Sequence, residues 1–346
     1  METIMYREIL SQSKVLKNTY ETNQELAQRL AKNIKDKKIK QIFVVARGSS
    51  NNACMYFKYL CEILVGIPVN FVNPSVITAY KGKLDMSNSV VIGVSQSGKA
   101  LDVQLVLFEA SKQGATCVAV TNSLTSSLSL TTQYHFYLDV EEEISVAATK
   151  TFTAQMLVLQ MIVFALADEK THLPSKLPIL PSLLDSTFEL APQLDILADK
   201  LLVAKELFVL SRGLALAVGD EIALKLQETC YLNARSYAIS NFHHGPFALV
   251  NADSNILLIA LNGQTYLDNQ EIFNKLSSVG CNIYTISQSQ ELVSSSAFGV
   301  LLPECDQFYA PFSAVVAGQL LANSLSLKRS LNPDSPRGLS KVTITK

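Results

Sequence analysis

Charge of one sign is the first thing this 346-residue sequence lacks: 29 basic and 30 acidic side chains leave a formal net charge of −1, with no long blocks. That removes the electrostatic footprint of a nucleic-acid binder and the attraction to an anionic membrane. Histidine is scarce, four in all, and none stands at metal-ligand spacing from Cys, Asp or Glu, which gives a zinc site little support. His135 reads as a structural residue near a strand edge and His172 as a loop residue. The six cysteines (Cys54, Cys61, Cys117, Cys230, Cys281, Cys305) form no CxxC pair and read as buried thiols of a reducing cytoplasm. The longest apolar stretch, Met156 to Ala167, is interrupted by Gln160 and falls short of the roughly 20 residues that cross a bilayer. It reads as a core or interface helix. Met1-Glu2-Thr3-Ile4-Met5 has an acid where a signal peptide needs a basic start.

What is present is an alternation of apolar strands and helical segments, 48% hydrophobic overall and long enough for about two domains of ~150 residues. Helical periodicity runs from about Tyr6 to Asp36. Strands are expected at Ile42 to Ala46, Ile67 to Val72, Val90 to Val94 and Thr116 to Val120, separated by helices, which predicts a parallel sheet covered on both faces. The pattern then repeats. Leu207-Phe208-Val209-Leu210-Ser211-Arg212-Gly213 echoes Phe43-Val44-Val45-Ala46-Arg47-Gly48, and Ile256 to Ala260 echoes the Val90 strand. Arg47 and Arg212 are 165 residues apart, Gly114 and Gly280 166, so the chain is an internal duplication. Pro174, Pro178 and Pro181, with Pro192 further on, mark a connection between the copies.

Three segments carry chemistry. The Val90 strand opens into Ser95-Gln96-Ser97-Gly98, where hydroxyls, backbone N–H groups and a following helix N-terminus can hold an oxyanion without Lys or Arg. Ser and Gly after a strand equally make an ordinary turn. The second copy has Leu261-Asn262-Gly263-Gln264 opposite it. Glu221, Lys225 and Glu228 share one face of a predicted helix, with Ile222, Leu226 and Thr229 toward the core. The ordinary reading is a solvated stripe; the functional one is a carboxylate base beside a tuning cation. Beyond it, Ser240-Asn241-Phe242-His243-His244-Gly245-Pro246 sets two histidines before a helix-ending Gly-Pro, a mount for a proton carrier near neutral pH. The tail from Pro336 to Thr343 is basic and would ordinarily fray, but its Leu339 and Val342 suggest docking.

Together these segments resemble the double sugar-isomerase-domain (SIS) family over essentially the whole chain, above all the isomerase half of glucosamine-6-phosphate synthase and the SIS-type glucosamine-6-phosphate deaminase. The matching motifs are Ala46-Arg47-Gly48-Ser49-Ser50, Ser95-Gln96-Ser97-Gly98, Glu143 to Lys150, Ala223 to Glu228, His244-Gly245-Pro246 and Asn332 to Lys341. The resemblance implies an α/β fold of two tandem three-layer αβα domains with flavodoxin-like parallel sheets. The expected organisation is a helical segment over 1–35, a first SIS domain with the phosphate cradle over 36–170, a linker over 171–195, a second SIS domain over 196–330 and a tail over 331–346 that closes the site. It further implies a sugar phosphate held by Ser50, Ser95, Gln96 and Ser97, with Ser49 and the backbone near Val146 lining the site. Glu228 would move a proton between C1 and C2, His244 would assist ring opening from a partner subunit, Lys225 would orient the substrate and Lys341 would close over it. No metal or organic cofactor is implied, and the expected assembly is a cytoplasmic homodimer, which the apolar Thr149 to Ala167 helix also suggests.

Four positions depart from the family pattern. Asn241 stands where relatives usually carry Glu, Arg235 where they often carry Glu, and Lys99-Ala100 where the synthase has an acid and a threonine. The synthase carries a glutamine-hydrolysing domain ahead of this module. The chain begins Met1-Glu2 without one, so the expected reaction is release of ammonia from an amino sugar phosphate. The alternatives are a fructosamine-phosphate deglycase or another phosphosugar aldose–ketose isomerase. A non-catalytic phosphosugar sensor is the third, but about 36 residues before the first strand, with one helical pattern, cannot supply a helix-turn-helix.

Overall fold

The computed structural model describes residues 2–167 and 178–341. His172 and Pro174 of the expected linker, and Val342 of the tail, lie outside them. Two compact units result. One gathers Lys14–Glu143, Lys150–Ile179 and Ser340–Lys346; the other gathers Met1–Ser13, Ile144–Thr149 and Leu180–Leu339. The chain therefore passes between units several times, and its N-terminal helical segment is two helices, α1 (Ile4–Leu10) and α2 (Gln12–Asp36), parted at Ser11.

The first unit continues with β1 (Ile42–Val45), α3 (Gly48–Leu64), β2 (Val69–Phe71), α4 (Pro74–Thr78), β3 (Val90–Val94), α5 (Leu101–Lys112), β4 (Thr116–Thr121), α6 (Ser127–Thr131), β5 (Tyr134–Tyr137) and α7 (Lys150–Leu166). Its strands make one parallel sheet in the order β2-β1-β3-β4-β5. Every residue of β3 and β4 is buried, as befits strands covered on both faces. Gly93 in β3 lets α5 approach closely, since a Cβ there would lie 2.6 Å from Leu107 Cδ1. Helix α7 packs on α3 and is buried almost throughout. It is a core helix of its own unit and offers no free face to a second subunit, which removes the dimer argument drawn from its apolar sequence.

The second unit contains α8 (Leu180–Phe188), α9 (Ala191–Lys200), β6 (Glu206–Ser211), α10 (Leu216–Cys230), β7 (Asn233–Ala238), α11 (Ile239–His243), β8 (Asn255–Ala260), α12 (Tyr266–Val279), β9 (Asn282–Ser287), α13 (Gln290–Ser295), β10 (Phe298–Leu301) and α14 (Ala310–Lys328). Pro181 and Pro192, expected in a linker, sit in the first turns of α8 and α9, where a missing N–H is harmless. The sheet order β7-β6-β8-β9-β10, all parallel, reproduces that of the first unit. Among the described residues one helix, α14, is long and apolar enough to cross a membrane, but 89% of it is buried. It packs against α1, α8, α9 and α10 as a core helix.

Candidate functional site

In a doubly wound sheet of this order the ligand crevice opens at the carboxyl ends of the two central strands whose connections depart in opposite directions. In the first unit those strands are β1 and β3. After β1 the chain turns at Arg47 and at Gly48 (φ +52°), and α3 begins, with Ser49 partly and Ser50 almost fully buried in its first turn. After β3 comes the Ser95–Gly98 turn, closed by Gly98 N–H donating to Ser95 O (3.1 Å) and tied to the neighbouring strand and loop. Ser95 N–H donates to Val120 O (3.1 Å) and Asn122 N–H to Gln96 O (2.9 Å). Gly98 has φ +65°, and a Cβ there would lie 2.1 Å from Ser126 Oγ. Only glycine fits on both counts. Helix α5 follows with no side-chain cap from Ala100; in its first turn Asp102 Oδ1 accepts the Val103 N–H (2.9 Å), and the N–H groups ahead of it point toward the turn where an anion could sit. The Arg47 guanidinium, 2.8 Å from the buried Asp102 carboxylate, joins the β1 turn to the start of α5. Ser49, Ser50, Ser95, Gln96 and Ser97 are thus gathered at adjacent strand ends.

Lys341 belongs to the same unit. Its Nζ lies 2.5 Å from Glu143 Oε2, and that buried carboxylate also accepts from Thr151 N (3.0 Å) and Thr151 Oγ1 (2.7 Å) in the first turn of α7. The tail is therefore docked over its described residues: Pro333 and Pro336 are buried and polar contacts at Asp334, Arg337 and Lys341 hold it, whereas Leu339 is exposed.

Val146, Lys225, Glu228 and His244 belong to the second unit. On α10 the side chains of Glu221 and Lys225 are completely buried and that of Glu228 is 21% exposed, so the face is no solvated stripe. Lys225 Nζ lies 3.3 Å from Glu221 and 2.5 Å from Glu228. Burial works to lower the Lys225 pKa, but the two carboxylates outweigh it and the net shift is upward, keeping an ammonium at neutral pH. A cation buried between two carboxylates, one of them open to solvent, fixes that carboxylate in a single orientation. Glu221, which its i,i+4 spacing to Lys225 places on the same face, is the fully buried carboxylate of the three. Helix α11 ends at His243, as the Gly-Pro requires, and Pro246 starts a 3₁₀ turn. His243 stacks on Phe247 and meets Lys275 Nζ at 3.3 Å, whereas His244 is exposed at the turn. The Val146 N–H donates to Asp334 O (3.2 Å).

All six cysteines are free thiols. Burial raises those of Cys117 and Cys230 to about 11 and those of Cys61 and Cys305 to about 12, which disfavours a thiolate nucleophile.

Two copies of one α/β unit, a serine-lined turn in the first and a buried ionic helix in the second, define a duplicated doubly wound α/β protein. The SIS domain family matches residues 36–165 and 200–327, and the chain belongs to that family. A glutamine–fructose-6-phosphate aminotransferase (isomerizing) from Aquifex aeolicus is 30% identical over 342 residues, covering 98% of this chain and 57% of that protein. The chain thus spans little more than half of that relative. The C-terminal domain of glucosamine-fructose-6-phosphate aminotransferase from Francisella tularensis superposes with a TM-score of 0.88 at 24% identity, covering 97% of this chain and 98% of its own. Glucosamine-6-phosphate deaminase from Thermotoga maritima gives a TM-score of 0.77 at 19% identity, with 99% and 100% covered. Both likenesses carry the fold.

Proposed function

We propose that the chain is a phosphosugar enzyme of the isomerase type, whose reaction converts glucosamine 6-phosphate and water into fructose 6-phosphate and ammonia. The observation that carries this reading is Lys225 buried between Glu221 and Glu228, with Glu228 alone reaching solvent. Ser50, Ser95, Gln96 and Ser97 bind the phosphate; Ser49 and the Val146 backbone line the sugar. His244, contributed by the partner of a homodimer, assists ring opening. Glu228 takes the proton from C2 of the open-chain amino sugar and returns it to C1. The resulting C2 imine is hydrolysed, its nitrogen leaving as ammonia while water supplies the ketone oxygen. Lys225, with no exposed surface, acts on the substrate through Glu228, and Lys341 closes the site from the tail. The scheme needs no metal or cofactor, and the enzyme would work in the cytoplasm. The names of the Aquifex and Thermotoga proteins, both concerned with glucosamine or fructose 6-phosphates, support this substrate class.

Asn241, exposed on α11 where the family pattern has Glu, favours a second reading. Without that carboxylate beside the amine, the same proton transfer would serve a fructosamine-phosphate deglycase or an aldose–ketose isomerase. Ammonia release from glucosamine 6-phosphate, with the product identified by NMR, separates the two. Glu228→Gln is expected to lower turnover by about 10²- to 10⁴-fold. Turnover of a phosphosugar without ammonia would select the second reading; wild-type turnover in Glu228→Gln would remove Glu228 as the base.

A further inference from the structure

Helix α1 has a hydrogen-bonding pattern that its short length does not require. The Asp334 carboxylate spans its amino end, accepting Ile4 N–H at Oδ2 (2.9 Å) and Met5 N–H at Oδ1 (2.7 Å). Thr3 caps the next N–H, that of Tyr6 (3.0 Å), and donates to Asn323 on α14 (2.6 Å). One turn on, the buried Glu8 carboxylate accepts the backbone N–H groups of Ile144 (2.6 Å) and Ser145 (3.3 Å). Asp334 O then accepts from Val146 N. The far end of the same segment is held as well: Gln319 donates to Thr149 O (3.3 Å) and is itself bonded by Gln12 (2.8 Å). Ionised acceptors on backbone N–H groups make the stronger class of hydrogen bond.

The tail is rooted from the same place. Beyond Asp334, Arg337 stacks over the Tyr231 ring (4.2 Å), and its N–H donates to the Tyr231 hydroxyl (2.8 Å). Tyr231 is the left-handed residue that ends α10, the helix of Glu228. Gly338 follows with φ +73° and no atom within 4 Å of where its Cβ would be, and after Leu339 the chain leaves this unit for the one that holds Lys341. The root is thus held both from α1 and from the end of α10.

We propose that α1 is a clasp. Through Glu8 and Asp334 it sets both the Ile144–Thr149 segment, which carries the Val146 backbone, and the root of the Lys341 tail, making Glu8 and Asp334 positioning residues of the phosphosugar site. The inference rests on the functional reading above, and its test separates the two. Hydrogen–deuterium exchange is followed over 140–150 and 331–341 in the full-length wild type, Asp334→Ala, Asp334→Asn and Glu8→Gln, alongside kcat and KM. Asp334→Ala is expected to speed exchange in both stretches and to lower kcat by about 10- to 100-fold with KM held within about threefold, because the phosphate cradle lies in the other unit. Asp334→Asn, which retains one acceptor oxygen, recovers part of both; Glu8→Gln, the milder change if Asp334→Ala fails to fold, loosens 144–146 first. Faster exchange confined to residues 3–6, or unchanged kcat in a folded Asp334→Ala, overturns the clasp. If the wild type turns over no phosphosugar, the functional reading fails, and exchange at 140–150 and 331–341 still decides whether α1 holds those segments.

Discussion

Helices α3 and α10 hold the same place in the two domains. Each follows a central strand through an Arg-Gly turn with a left-handed glycine, Gly48 (φ +52°) or Gly213 (φ +61°). Each turn's arginine is bonded to an aspartate, Arg47 to Asp102 at 2.8 Å and Arg212 to Asp268 at 2.7 Å. Shifted by the 165-residue offset, however, Glu221, Lys225 and Glu228 fall on Tyr56, Leu60 and Ile63. The first domain has an aromatic and aliphatic helix where the second has its ionic one. The strand-end turns differ the other way. Ser95–Gly98 is a turn of small polar residues, while at Leu261–Gln264 the protein's own amides close the space. There Gln288 accepts from Asn262 N (3.2 Å) and donates to Pro303 O and Cys305 O, and a Cβ on Gly263 would lie 2.3 Å from Gln307 Oε1. What the copies share, the sheet order and the Arg–Asp pair, is what both need in order to fold. What they do not share, the small polar turn of the first and the buried ionic helix of the second, is not needed for the common fold.

The largest effect should come from breaking the ionic helix. Lys225→Met leaves Glu221 buried without its cation and is expected to cost about 3–5 kcal/mol in denaturant unfolding. Glu221→Leu with Lys225→Leu, which gives α10 the character of α3, should restore stability to near wild type or above it, because a buried ion pair gains little over apolar packing. Activity should be lost in both. Since the folded Lys225 pKa is raised, its contribution is complete at neutral pH and disappears only as pH rises through that raised value. Loss of stability in the double variant equal to that in Lys225→Met would show that the network holds α10 together and is not a functional device.

Next in size is a matched glycine pair. Gly98→Ala adds a Cβ against Ser126 in a left-handed turn, so the cradle must shift, and KM for the phosphosugar should rise on the order of tenfold or more. Gly263→Ala (φ +124°) strains the backbone by roughly 1–3 kcal/mol, while the flexible end of Gln307 can move aside. It should lower the unfolding midpoint and leave KM unchanged. Equal effects on KM would mean that the second turn also binds substrate.

The duplication, the parallel sheets and the small polar turn after β3 were legible because they lie in local patterns: apolar runs of strand length, Gly at strand ends, and two anchors at nearly the same offset. The state of the Glu221–Lys225–Glu228 face was not. Spacing puts three charged residues on one side of a helix, but whether that side meets water depends on what packs against α10, chiefly α14, which follows about 80 residues later in the chain. The tail misled in a similar way. Leu339 and Val342 suggested apolar docking; Leu339 is exposed, Val342 lies outside the described residues, and Asp334, Arg337 and Lys341 bond partners at residues 4, 5, 231 and 143 that no local pattern could supply. Pro181 and Pro192 read as linker because proline breaks helices in their interiors, whereas both occupy first turns.

The smallest expected effect concerns a histidine present in only one copy. Ladder partners set His135 on β5 opposite Ala119, and the equivalent place on β10, opposite Thr285, is Gly299. His135 Nε2 lies 2.9 Å from Thr121 Oγ1, which accepts Ser123 N–H (3.2 Å) and donates to Ser123 O (2.9 Å) in the loop beside the cradle. When the Thr121 hydroxyl gives its one proton to Ser123 O, it accepts from the ring, and Nε2 then carries the hydrogen. Burial lowers the His135 pKa below its ordinary 6.5, so the folded domain favours the neutral ring. A depressed histidine pKa gives stability that is present above about 6.5 and is lost as pH falls through the folded value, because the unfolded chain then binds the extra proton. Exchange protection of β4 and β5 should therefore weaken between pH 7.5 and 5.5, while β9 and β10, with Gly299 at that place, should not follow. His135→Gln keeps a donor for Thr121 without a titrating ring and should remove the difference between the copies. If β9 and β10 weaken in parallel, the pH dependence comes from elsewhere, and His135 does not set the two domains apart.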